Sequence, residues 1–105
     1  MMSDENLKIA VVGPTDSFRN FVEYVHKNTA PDDRDEYVHA VSPIHLSGLK
    51  KDEAGVILLE NCHTIREWNN MFPIIRCMKK LGKVDIIRAK KNGNDYKFSE
   101  YQLTE

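Results

Sequence analysis

Two short stretches of this sequence gather side chains capable of chemistry. Gly13-Pro14-Thr15-Asp16-Ser17 follows an apolar run and precedes a helical pattern, and Glu60-Asn61-Cys62-His63-Thr64 does the same further on. Small hydroxyl residues at a helix start, beside free N–H groups and the positive end of the helix dipole, favour a phosphate or carboxylate. The first loop carries a single glycine, so it is neither G-x-G-x-x-G nor G-x-x-x-x-G-K-[ST], and no lysine follows to hold a β- or γ-phosphate. Asp16 repels an anion unless it turns back to cap the helix. In the second stretch, Cys62-His63 is the pair with nucleophile character, because a cysteine near a helix start can ionise readily. Adjacent residues point apart, so His63 is a poor base for Cys62, whereas His45 could approach from a neighbouring loop. No recognised catalytic signature surrounds the pair, and cysteine serves equally as a small packing residue. The spacing of His39, His45, Glu60, Cys62 and His63 matches no zinc pattern, and neither a metal nor another cofactor is expected.

Positioning these loops requires strands that end where they begin. Residues 7–12 form a continuous apolar run that reads as a strand buried on both faces. Phe18, Phe21, Val22 and Val25 then follow helical spacing, with the helix opening at Asp16 or Ser17 and fading near 26–28. Residues 29–35 form a surface loop, 36–41 a second strand, and Ser42-Pro43 the start of a short helix that uses Ile44, Leu46 and Leu49 and stops at Gly48. Residues 55–60 (GVILLE) form the third strand. Thr64-Ile65-Arg66-Glu67 has the form of a capping box. The helix behind it has an apolar face of Ile65, Trp68, Met71, Phe72, Ile75, Met78 and Leu81, with a kink or break expected between Asn69 and Pro73. Gly82 ends it. Residues 83–90 form the fourth strand, Asn92-Gly93 signals a hairpin, and Tyr96, Phe98 and Tyr101 mark the return strand.

The β-α-β-α-β-α-β-β pattern predicts a single α/β domain over residues 1–105, with a disordered tail at 1–6. The fold class resembles small Rossmann-like and flavodoxin-like three-layer sandwiches. Right-handed crossovers order the parallel strands 2-1-3-4, with the hairpin strand antiparallel at the edge. Ligands of such sheets bind beyond the carboxyl ends of the strands where the chain winds to opposite sides, which here lies between the first and third strands.

Composition narrows the function classes. The charged fraction is 30%, the hydrophobic fraction 41% and the net charge -1, as in an ordinary globular protein. That balance argues against nucleic acid as a partner. No apolar run reaches membrane length, and the N-terminus lacks the layout of a signal peptide, so a cytoplasmic protein is expected. Cys62 and Cys77 then read as two thiols. Residues 31–36 (PDDRDE) are acidic, and 76–97 are rich in lysine and arginine. The expectation is therefore a non-catalytic domain that binds a phosphorylated small molecule or nucleotide through Gly13, Thr15, Ser17, His45, Asn61 and His63. The alternative is a small interaction or inhibitor protein, or a homodimer, that uses Tyr96, Phe98 and Tyr101 on the basic hairpin. An enzyme built on Cys62 stands third.

Overall fold

The computed structural model describes residues 8–47, 49, 54–82 and 84–102. The tail expected at 1–6, the stop expected at Gly48 and the polar link at 50–53 lie outside the described residues. Along the chain come β1 (Lys8–Val12), α1 (Thr15–Asn28), β2 (Glu36–Ala40), α2 (Ile44–Ser47), β3 (Ala54–Leu59), α3 (Trp68–Leu81), β4 (Asp85–Asn92) and β5 (Asp95–Glu100). Short 3₁₀ turns lie at Pro31–Asp33 and Cys62–Thr64. The strands form one sheet in the order β2-β1-β3-β4-β5, parallel through β4 and antiparallel at β5. The expected order therefore holds for this small α/β domain.

Period-two alternation explains how the sheet is covered. Val11, Ile57, Leu59 and Ala89 pack with Phe21 and Val25 of α1. Ala10, Val12, Val56, Leu58 and Ile86 pack with Leu46 of α2 and with Met71, Ile75 and Met78 of α3. One helix thus serves one face and two helices the other. Phe21 also meets Tyr37 of β2 at 5.6 Å and Tyr96 of β5 at 5.3 Å between ring centroids, both edge-on. Those strands are the two outer strands of the sheet. A single ring can touch both only if the twisted sheet wraps around α1.

Several local expectations are corrected. The first helix opens at Thr15 behind Pro14, which offers no side-chain cap, so Asp16 sits in the first turn. Proline's fixed φ suits this entry. No capping box forms: the Thr64 hydroxyl donates to the Asn61 carbonyl at 2.7 Å inside a 3₁₀ turn, and α3 begins only at Trp68. That helix runs unbroken through Pro73. Met71 and Ile75, both fully buried on either side of the proline, hold it against the sheet. Gly82 does end it, with φ +65° and its N–H shared by the Met78 and Lys79 carbonyls. Ile44, expected to contribute apolar contacts, is 76% exposed, and α2 buries only Leu46. The hairpin loop is Gly93-Asn94, one residue later than expected, because Asn92 pairs with Asp95.

Gly13 is required by packing. A Cβ there would lie 2.9 Å from Cδ1 and 3.1 Å from Cβ of Leu59, itself buried in the α1-side core. Gly13→Ala is expected to cost about 1–3 kcal/mol by overpacking, read as a fall in the urea midpoint with the m-value unchanged.

Candidate functional site

The helix start at Thr15 places Ser17 and Asn20 one turn apart, on the same side of α1. That side borders a cleft of about 460 Å³ lined by Ser17, Asn20, Glu60, Asn61, Lys91 and Tyr96, with Leu59, Ala89 and Gly93 completing it. The cleft lies between α1 and the carboxyl end of β3, with the β4–β5 hairpin as its outer wall. The Glu60 carboxylate accepts a hydrogen bond from the Lys91 backbone N–H at 2.9 Å and so anchors the hairpin to the end of β3. Burial, and secondarily the Glu60 charge, push the Tyr96 phenol above its ordinary pKa. The Tyr24 hydroxyl donates to Asp95 at 3.0 Å and ties α1 to the hairpin.

The residues expected to bind a ligand separate. Ser17 and Asn61, from the two loops, meet in the cleft. Thr15 is exposed on the first turn of α1 and does not line it. Gly13 is buried beneath, where its carbonyl lies 2.7 Å from His39 Nε2. A carbonyl can only accept, so Nε2 carries the hydrogen. The His39 ring stacks on Phe18 at 4.5 Å. His45 is engaged locally: its Nδ1 accepts from the Val41 N–H at 3.1 Å, beside the Ser42 hydroxyl. His63 is exposed in the 3₁₀ turn, away from the cleft lining.

Of the aromatics expected at an interface, Tyr96 instead forms part of the cleft wall and packs on Tyr24 and Phe21. Phe98 is 48% exposed on the edge strand. Tyr101 is buried in the core on the α2–α3 side. Asn20 and Lys91 are cleft residues that the sequence reading missed.

Cys62 is buried, and that burial pushes its thiol up to about 11 despite the opposing charge of Arg88. No imidazole is among the groups acting on it. At pH 8 about one molecule in a thousand then carries the thiolate a nucleophile needs. Iodoacetamide at pH 8 is expected to label exposed Cys77 well before Cys62. Labelling of Cys62 should rise about tenfold per pH unit up to its pKa, as followed by peptide mass spectrometry. Equal labelling of the two at pH 8 would contradict this environment.

Among the described residues, no three His, Cys, Asp or Glu side chains gather as a metal site would require. Among the same residues, no helix is long and apolar enough to cross a membrane. Comparison with protein-family models, with curated proteins and with solved structures finds no match to this chain.

Proposed function

We propose that this is a Rossmann-like, non-catalytic domain that binds a phosphorylated small molecule or nucleotide in the cleft between α1, the end of β3 and the hairpin. One observation carries the reading: Ser17 in the first turn of α1, which follows β1, and Asn61 just after β3 converge with Lys91 in one cleft. Its volume of about 460 Å³ lies within the range of small-ligand sites. Lys91 supplies the cation that the first loop lacks, Ser17 and the amides of Asn20 and Asn61 supply directional hydrogen bonds, and Tyr96 offers an aromatic wall. The set contains no activated nucleophile, which favours sensing or sequestration over turnover.

A thermal-shift screen against nucleotides, sugar phosphates and inorganic anions tests it. A ligand at about 100 times its Kd adds about 2.7 kcal/mol to stability, a shift of many degrees in a domain this small. The shift should be lost in Ser17→Ala/Asn61→Ala and kept in Phe98→Ala. A flat screen would overturn the proposal for those ligands.

One observation favours the interaction reading as a second. A two-residue loop closes on the hydrogen-bonded Asn92/Asp95 pair, so the backbone groups of Tyr96, Phe98 and Glu100 point away from β4, toward the edge of the sheet. With Phe98 half exposed there, the edge suits addition of another strand.

A further inference from the structure

The cleft does not end at Tyr96. A second cleft, of about 370 Å³, continues along α1 toward its C-terminus, lined by Asn20, Glu23, Tyr24, Lys27, Asn28, Lys91, Asn94 and Tyr96. The two share Asn20, Lys91 and Tyr96, so they adjoin at those residues along α1 and the hairpin and are taken together as two lobes of a groove. Each lobe alone is large enough for a small organic group, against about 300–1,000 Å³ for typical ligand sites. Their chemistry repeats. Each holds one carboxylate, Glu60 in the first and Glu23 in the second, together with side-chain amides of its own: Asn61 in the first, Asn28 and Asn94 in the second.

We infer that the groove takes a dinucleotide, two nucleosides joined through phosphate, with the phosphate at Lys91 and one nucleoside in each lobe. This rests on the reading of the first lobe as a phosphorylated-ligand site. A carboxylate is an acceptor only, so it selects the donor hydroxyls of a ribose and repels phosphate. Acid, lysine, acid along one groove therefore matches sugar, phosphate, sugar. Glu60 already receives the Lys91 N–H through Oε1, which leaves acceptor capacity on its other oxygen. The side-chain amides can pair with base edges, and Tyr96, bordering both lobes, offers a face on which a base can stack. Lys27 places a further cation at the outer end.

The test is calorimetric titration of the protein with the four nucleoside 5′-monophosphates and with dinucleoside mono- and diphosphates of the same bases. The variants Glu23→Gln and Lys91→Ala are titrated in parallel, each first shown to retain the wild-type melting temperature. At least one dinucleotide should bind about tenfold or more tightly than its mononucleotide. Glu23→Gln should weaken the dinucleotide and leave the mononucleotide unchanged, whereas Lys91→Ala should weaken both. A mononucleotide that binds as well as any dinucleotide, or a dinucleotide indifferent to Glu23→Gln, would overturn the inference and leave the first-lobe site standing. Binding of none of these ligands would overturn the inference together with the nucleotide form of the first-lobe reading.

Discussion

Phe21→Ala is expected to remove a large part of the stability of this domain. Phe21 is 1% exposed and is the ring on which both outer strands close, with Tyr37 on one side and Tyr96 and Phe98 on the other. Truncating a buried phenylalanine costs about 3–5 kcal/mol in lost transfer energy and cavity formation, against about 5–15 kcal/mol for a whole domain. The cost should fall at the upper end, because α1 is the helix that covers this face and the edge-on aromatic contacts are lost as well. Urea unfolding reads the change. Phe21→Leu, which keeps most of the volume, should remain folded and lose less. A loss below about 1 kcal/mol for Phe21→Ala would mean that the sheet does not wrap on this ring. The same variant should loosen the hairpin wall of the cleft, since Tyr96 leans on Phe21.

The second large effect is expected in binding. Lys91→Ala should weaken a phosphate-bearing ligand by about 1.5–3 kcal/mol, the worth of a hydrogen bond to a charged group, or about 10–150-fold in Kd. Stability should hardly change, because Lys91 is exposed and its backbone N–H, which bonds Glu60, is retained. Lys91→Arg keeps the charge and should recover much of the affinity. The affinity of the wild type should also fall as salt is raised, since an exposed cation is screened within about 10 Å at 0.1 M ionic strength. Full affinity in Lys91→Ala would remove the phosphate from the hairpin side of the cleft.

How much of this could be read in advance depended on how local each signal was. The apolar run from Ile9 to Val12 and the GVILL run placed two central strands, and handedness rules then fixed their neighbours. Ser17 and Asn61 followed from that order, because strand ends at a switch point must face one another. Asn20 carried a legible signal, lying one helical turn after Ser17. Tyr101 did too: as an odd residue after a strand whose even residues, Tyr96 and Phe98, face α1, it had to fall on the opposite side. Lys91 had no such signal. Its place in the cleft depends on the hairpin curling over α1, which is a matter of sheet twist and of Phe21 packing. The hairpin loop was ambiguous for a related reason. Loops at Asn92-Gly93 and at Gly93-Asn94 leave every side chain on the same face, so alternation cannot choose between them. The Tyr24–Asp95 bond and the contact of Tyr96 with Tyr24 belong to the second. His45 was expected to reach a ligand or Cys62 because nothing in the sequence marks the Val41 backbone N–H that its ring accepts.

The measurement closest to the central claim is an amide ¹H–¹⁵N titration of the full chain with the ligand that gives the largest thermal shift, or with inorganic phosphate if no nucleotide does. Shifts that saturate together and concentrate at Ser17, Asn20, Glu60, Asn61 and the 91–96 hairpin are the expected result. Saturable shifts centred instead on β2 and α2, around His39 to His45, would contradict it and place the site on the other side of β1.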